Sequence, residues 1–190
     1  MSSTTSGHHG QSEREDTVPR EVDADSFRAL MSGHPSGVAV VTTIDARGVP
    51  RGLTCTSVCS VGLEPPSLLV CLDNRSGTLR ALSESGVFAV NLLHTRGRGA
   101  ARTFATAGPD RFSEVAWEPT ERHAVPRLTD DARAVAECRV LHTLPAGDHT
   151  VVVGAVEDVV FRPRARPLLY GERRYAGWPR PPEDSGTVGG

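Results

Sequence analysis

Lysine is absent from this chain of 190 residues, so all 21 of its basic residues are arginine. This absence excludes a Schiff-base lysine, a covalently held pyridoxal cofactor and the lysine of a P-loop. Any phosphate group that the protein binds must therefore be met by arginine, by hydroxyl groups or by backbone N–H groups.

Long apolar runs and a large net charge are also missing. No apolar run is long enough to cross a bilayer, and residues 1–17 lack the apolar core of a secretory signal. A formal net charge of -2 gives no reason to expect a nucleic acid or an anionic membrane as a partner. We expect a cytoplasmic protein that binds neither.

Paired cysteine motifs are missing as well. None of the four cysteines forms a C-x-x-C pair, and no histidine completes the spacing of a zinc site. Each lies in an apolar or strand-like segment, so we predict four reduced core thiols and no metal site. The four are Cys55, Cys59, Cys71 and Cys138.

The length is sufficient for one domain with a real core and short for two. Residues 1–20 are polar and without periodicity, which predicts a disordered N-terminal tail. Residues 179–190 consist mostly of proline, glycine and charged residues, which predicts a flexible C-terminal tail. The expected domain spans 21–178.

Strands dominate the predicted domain. A short helix capped by Asp23 or Asp25 begins it, with an apolar stripe of Phe27, Leu30 and Met31. Two more helices are predicted at 78–85 and 97–107, and 110–126 is expected to be irregular. Tight turns join most of the strands, which favours a mainly β antiparallel barrel over an alternating βαβ sheet. Predicted strands cover 38–44, 49–60, 67–72, 87–93, 132–144, 150–161 and 168–170.

Hydroxyl groups and arginines cluster between positions 51 and 78. The run Asn74–Thr78 places N–H groups, hydroxyls and a guanidinium at one helix start, where an anion is electrostatically favoured. This pattern predicts a phosphate site, although an outward polar strand face followed by a helix cap gives the same pattern. Thr54 and Ser57 fall on opposite faces of an ideal strand, so both reach one ligand only if the strand bulges or ends there.

Two further features are less specific. Gly147-Asp148-His149 has the composition of an ordinary hairpin turn, and Asn91 in an apolar strand needs either backbone or ligand partners. No arrangement of Ser-His-Asp, Cys-His or paired carboxylates stands out, so no acid or base is assigned. A cofactor that carries the chemistry itself would be consistent with that absence.

The ordered set of short motifs resembles one family. The motifs include Ser36–Thr43, Gly52–Ser57, Leu63–Cys71, Phe88–Leu93, Gly147–His149 and Pro167–Tyr170. Together they resemble the flavin reductase-like family of FMN-binding split barrels, the reductase components of two-component flavin-dependent monooxygenases. The motifs run in family order from about residue 23 to residue 176.

The resemblance implies a six-stranded antiparallel split β-barrel that forms a homodimer with flavin near the subunit interface. It implies that Asp148 and His149 contact the nicotinamide nucleotide. Lysines common near the family's phosphate are absent here, so Arg75, Arg96 or Arg98 would have to replace them. With Ser76 added from the hydroxyl cluster, the implied flavin-binding residues are Arg51, Gly52, Leu53, Thr54, Thr56, Ser57, Cys71, Leu72, Asp73, Ser76, Gly77, Thr78 and Phe104.

The implied function is an NAD(P)H-dependent flavin reductase. It would pass a hydride from nicotinamide to N5 of FMN or FAD and supply the reduced flavin to a partner monooxygenase. Two alternatives stay open: a self-contained oxidase or oxygenase with bound FMN, and a non-enzymatic carrier of flavin or heme. The Gly147-Asp148-His149 turn argues against the carrier, and the lack of an arginine cluster for a 2′-phosphate favours NADH over NADPH.

Overall fold

The structure is a computed structural model, and it describes residues 21–106, 108, 110–162 and 165–179. The predicted N-terminal tail (1–20) lies outside the described residues, as does the predicted C-terminal tail beyond Pro179. None of the helices in the described ranges is long and apolar enough to cross a membrane.

Three α-helices and twelve strands make up the described part of the chain. The helices are α1 (Ala24–Ser32), α2 (Gly77–Ser85) and α3 (Arg98–Ala105). The strands are β1 (Ser36–Gly37), β2 (Ala39–Ile44), β3 (Pro50–Cys55), β4 (Val58–Leu63), β5 (Pro66–Asp73), β6 (Val87–Leu93), β7 (Trp117–Pro119), β8 (Pro126–Leu128), β9 (Ala132–Ala146), β10 (His149–Phe161), β11 (Leu168–Gly171) and β12 (Arg174–Gly177).

One antiparallel sheet of seven strands forms the centre, in the order β3-β2-β6-β9-β10-β5-β4. The predicted mainly β, antiparallel class is confirmed. The count of six strands that the resemblance implied is not confirmed, because this sheet has seven. The segment 49–60, predicted as one strand, divides into β3 and β4 at Thr56 and Ser57. These two consecutive strands are the opposite edges of the sheet, and in the described residues no ladder joins them, so the barrel is split between them.

The inner face of the sheet encloses one apolar core. Six of the seven strands supply buried residues to it, and Val58 of β4 packs against it, so the sheet curls around its own interior. Helix α2 adds Leu79 and Leu82, and Gly86 ends that helix in the left-handed conformation, with φ of 72°. The strand residues of this core are Ala39, Val41, Cys55, Val70, Leu72, Phe88, Val90, Cys138 and Val152.

A second core lies on the outer face of β2, β6 and β9, beneath α3 and the β7–β8 hairpin. The rings of Phe104 and Phe112 meet edge to face at 5.0 Å, and Phe112 meets Trp117 at 5.6 Å. Phe112 and Trp117 therefore anchor the segment 110–126 to this core. The segment itself is more regular than expected, because β7 and β8 pair between Trp117 and Leu128.

Asn91 has structural partners within this second core. Its Nδ2 donates to the carbonyl of Val40 at 3.1 Å and to Oγ1 of Thr42 at 3.0 Å, and its Oδ1 accepts from the N–H of Leu128 at 2.8 Å. Of the two partners considered for Asn91, backbone groups or a ligand, the structure shows backbone groups.

Two predictions about burial are wrong. Helix α1 begins after its predicted cap Asp23, but it buries no residue, and Phe27 and Leu30 are 55% and 71% exposed. All four cysteines are free, yet Cys59 is exposed, because its neighbour Val58 packs against the inner core and Cys59 therefore projects from the outer face of β4. Cys71 is half-buried and only the other two are core thiols. Burial raises the pKa of the Cys138 thiol to about 12.

Candidate functional site

Ser57 organises the junction between β3 and β4. Its Oγ accepts from the N–H of Cys71 at 3.2 Å and lies 3.1 Å from the Cys71 carbonyl, to which it donates. The side chain of Ser57 thus takes the place of a ladder partner, and β3 ends just before it. A strand end here is one of the two conditions under which Thr54 and Ser57 could reach the same ligand. The hydroxyl of Thr54, however, donates to the carbonyl of Ala101 at 2.7 Å and so holds α3.

A groove of about 1150 Å³ lies beside this junction. Three of the predicted flavin-binding residues line it, namely Thr56, Ser57 and Cys71. Its apolar lining includes Ala39, Leu69 and Leu92, and its rim is formed by α1, by residues 34–37 and by the β11–β12 turn. A wide groove with apolar walls and a few hydroxyls is the kind of site that planar cofactors occupy.

The outer face of β5 leads from this groove to the Gly147-Asp148-His149 turn. Val151 lies opposite Cys71 in the β5–β10 ladder, and His149 lies opposite Asp73. Because side chains alternate along a strand, Cys71, Asp73 and His149 project from the same face. One step of two residues, about 7 Å, separates the groove residue Cys71 from the rung that carries His149.

Asn74 fixes the loop after β5 to the tip of the β9–β10 hairpin. Its Nδ2 donates to the carbonyl of Gly147 at 3.1 Å, and its Oδ1 accepts from Oγ1 of Thr150 at 2.7 Å. Its backbone N–H donates to the carbonyl of Asp148 at 3.0 Å. The sequence indicates Asn74 only as part of a helix start. Its role in holding the hairpin tip is not visible there, because its partners are more than 70 residues away along the chain.

The hairpin tip presents a hydrogen-bonded pair of side chains, Asp148 and His149, to solvent. Nδ1 of His149 lies 2.8 Å from Oδ1 of Asp148, and this hydrogen bond lowers the pKa of the Asp148 carboxyl. Gly147 adopts φ of 62°, which suits the tight two-residue turn between β9 and β10. The pair orients the imidazole on the outer face of the sheet.

Ser76 caps the N-terminus of α2. Oγ of Ser76 accepts from the N–H of Thr78 at 3.1 Å and from that of Leu79 at 3.4 Å. The Arg75 guanidinium turns back to Asp73, with an NH2–Oδ2 distance of 2.8 Å, and holds the pKa of that carboxyl at about 2. A phosphate near this helix would compete with Asp73 for Arg75.

Several predicted residues are structural. The side chains of Leu72 and Phe104 are at most 1% exposed, and a Cβ on Gly52 would lie 3.0 Å from the Phe104 ring. Arg51 makes a two-nitrogen contact with Asp45 Oδ2 at 2.9 and 3.2 Å. Leu53 packs against the inner core. None of these residues lines the groove, and Gly77 borders a separate surface hollow that also includes Arg51.

Comparison with known proteins gives the family. Residues 31–179 match the flavin reductase like domain. The flavin reductase (NADPH) of Lentzea aerocolonigenes is 54% identical over 157 residues, which are 83% of this chain and 91% of that protein. The flavin reductase (NADH) of Kitasatospora aureofaciens is 48% identical over 165 residues, 86% of each chain.

A solved structure agrees with these sequence matches. BorF, the flavin reductase component of a bacterial two-component tryptophan halogenase, superimposes with a TM-score of 0.76 at 29% identity, covering 84% of this chain and 100% of that one. The chain belongs to the flavin reductase-like family, and the resemblance drawn from its motifs is confirmed.

Proposed function

We propose that this protein is an NAD(P)H-dependent flavin reductase that supplies reduced FMN or FAD to a partner monooxygenase. The observation that carries the proposal is the common outer face that holds both the groove at Ser57 and Cys71 and the side chain of His149, with a step of only two residues along β5 between them. Two ligands that must exchange a hydride need neighbouring sites of this kind. Flavin supplies the acceptor, since N5 of its ring takes up a hydride from reduced nicotinamide.

The groove residues would bind and orient the flavin. Thr56 is exposed at the strand break, where its hydroxyl would be available to polar atoms of the flavin, and Cys71 and the apolar wall would hold the apolar part of the ring system. Ser76, Gly77 and Thr78 would direct the positive end of α2 toward the flavin phosphate. Arg75 is the nearest arginine in sequence, and it could exchange Asp73 for that phosphate.

Asp148 and His149 would contact the nicotinamide nucleotide. Asp148 holds the imidazole through Nδ1, which leaves Nε2 to the ligand. Asn74 supports this role because it ties the hairpin tip to the loop that precedes α2. No proton transfer is assigned to His149, because hydride transfer between the two cofactors requires none from a side chain.

A homodimer is part of the proposal. Large apolar side chains are exposed on α1, on edge strand β4 and near the end of β10, among them Phe27, Leu30, Leu63 and Phe161. Exposed apolar patches of this kind mark interaction surfaces. Light scattering coupled to size exclusion tests the assembly, and a mass of 20.2 kDa would contradict it.

Four cysteines without disulfides support the cytoplasm as the compartment.

The function is tested under nitrogen with purified protein, NADH or NADPH, and excess free FMN or FAD. Catalytic bleaching of the excess flavin is the expected result. A single bleach equal to the amount of protein would instead show a bound prosthetic group, and no bleaching would show a carrier. Addition of oxygen and a flavin-dependent monooxygenase to the reduced mixture then tests delivery.

A further inference from the structure

We propose that the β11–β12 turn holds Arg173 at the rim of the groove to bind a phosphate of the nucleotide that occupies it. The inference rests on the proposed function for the identity of the ligand. Its structural basis is the charge of the groove, the lack of a partner for the Arg173 side chain among the described residues, and the conformation of the turn.

The basic residues Arg28, His34 and Arg173 border the groove, and none of its lining residues carries a carboxylate. Hydroxyl, thiol and apolar side chains make up the rest of the lining, so the fixed positive charge is that of the two arginines, one on α1 and one on the β11–β12 turn. A rim of this sign attracts an anionic group while the interior accepts an uncharged one.

Of the two arginines at the rim, Arg173 has the less committed side chain. Arg28 pairs with Asp25 at 2.6 Å. Within the turn, Glu172 pairs with Arg174 and not with Arg173. Among the described residues, Arg173 makes no ion pair or side-chain hydrogen bond, so its planar, two-pronged guanidinium is available to a phosphate.

The backbone of the turn is held in a conformation that its residues disfavour. Gly171 lies opposite Arg174, and the two residues between them, Glu172 and Arg173, have φ of 48° and 58°. Glycine is common in such a turn because it has no Cβ, and asparagine because its short polar side chain can hydrogen-bond locally. Strain of this kind persists where the surroundings impose it, and it concentrates at ligand sites.

Contacts with α1 and β1 hold the β11–β12 turn in this conformation. The N–H of Glu172 donates to the carbonyl of Ser32 at the end of α1 at 2.6 Å. Strand β11 also pairs with β1, with Tyr170 opposite Ser36. Since residues 32–36 form part of the groove rim, these contacts fix the position of Arg173 relative to the groove.

Equilibrium binding of FMN, FAD, NADH and NADPH, measured by fluorescence, tests this assignment without turnover. In Arg173→Gly the guanidinium is lost and the positive φ is relieved. We expect its Kd for at least one of the four ligands to rise about fivefold, the loss of one partly exposed charge-assisted contact. Arg173→Lys should recover part of the affinity. Added salt should weaken nucleotide binding by the wild-type protein more than binding by Arg173→Gly.

Glu172→Gly is the matched control, since it relieves the same turn but keeps Arg173. Its Kd values should stay within about twofold of wild type, a difference of less than half a kcal/mol by RT ln K. Neither glycine variant should melt below the wild type, because glycine suits a positive φ.

The ligands whose affinity falls in Arg173→Gly identify the phosphate that Arg173 binds. An effect on FAD but not FMN assigns it to the adenylate half of FAD, and an effect on FMN assigns it to the flavin 5′-phosphate. Equal effects on NADH and NADPH assign it to their pyrophosphate, and an effect on NADPH alone to its 2′-phosphate. All of these outcomes support the proposal.

Two outcomes would overturn it: wild-type Kd values for all four ligands in Arg173→Gly, or an equal loss of affinity in Glu172→Gly. A protein that binds these nucleotides through Arg173 but reduces no flavin would disprove the proposed function alone.

Discussion

His149 lies directly opposite Asp73 on the neighbouring antiparallel strand, while its Nδ1 is 2.8 Å from Asp148. The imidazole is therefore placed between a carboxylate on β5 and one on its own hairpin turn. The charge of His149 also contributes to the low pKa of Asp73, after the larger contribution of Arg75. This relationship joins the two sites that the proposed reaction requires.

Replacement of His149 by alanine tests the nicotinamide site. We expect the KM for NADH or NADPH to rise about tenfold, the loss of one hydrogen bond at a partly exposed site, while the KM for flavin changes little. Steady-state kinetics with each substrate varied in turn measures the split. His142→Ala, on the exposed part of β9, is the control. A larger rise in the KM for flavin would overturn the placement of the nicotinamide.

Ser57→Ala tests the strand junction beside the groove. The variant loses both hydrogen bonds to the backbone of Cys71, so the end of β3 should shift relative to β5. We expect the Kd for FMN to rise at least fivefold and stability to fall by about 1 kcal/mol. Flavin fluorescence and thermal unfolding provide the two readouts. Ser60→Ala, an exposed serine on β4, should change neither, and wild-type flavin affinity in Ser57→Ala would contradict the role of this junction.

Asp45→Asn tests the β2–β3 turn as a source of pH-dependent stability. The N–H of Val49 and the Arg51 guanidinium hold the pKa of the Asp45 carboxyl at about 2, below the ordinary value near 4. A depressed folded-state pKa stabilises the protein above the unfolded-state pKa, and this contribution is lost as pH falls from about 4 to 2. The Tm of the variant should thus be lower at pH 7 and approach the wild type near pH 2.

Arg51→Gln provides the comparison for this prediction. The N–H of Val49 is the larger cause of the low pKa, so loss of Arg51 alone should lower Tm at pH 7 by less than Asp45→Asn does. Thermal melts between pH 7 and pH 2.5 measure both variants. A constant Tm difference for Asp45→Asn across this range would contradict the prediction.

Gly154→Ala tests the close packing of the inner core. An added Cβ would lie 2.6 Å from Cζ of Phe88, a fully buried ring with no room to withdraw. Overpacking of this kind costs about 2 kcal/mol, which denaturant unfolding can measure. Gly99→Ala is the matched control, since an added Cβ in this part of α3 meets no atom within 4 Å. We expect it to be neutral or slightly stabilising.

The elements governed by local chemistry could be predicted closely. Asp23 and Ser76 cap their helices, and the strand expected at 87–93 spans exactly the residues of β6. Capping and strand patterns depend on neighbours within a few positions, which a sequence displays. The extra pairing of β12 with β11 was not predicted, because a four-residue strand has too little pattern to be distinguished from a loop.

The apolar stripe of α1 shows a different limit. Phe27 and Leu30 have the spacing of a core-facing helix, and yet they are exposed in the single chain. An amphipathic pattern records that a face is apolar and does not say which surface covers it.

By itself the sequence determined the mainly β class, the family and the short segments from which the site is built, because these depend on local pattern and ordered motifs. Only the tertiary structure decided which hydroxyls face the groove. Thr54 is committed to α3 and Ser57 to β5, while Thr56 stays exposed. That division follows from strand register and from the break between β3 and β4, and both are set by partners distant along the chain.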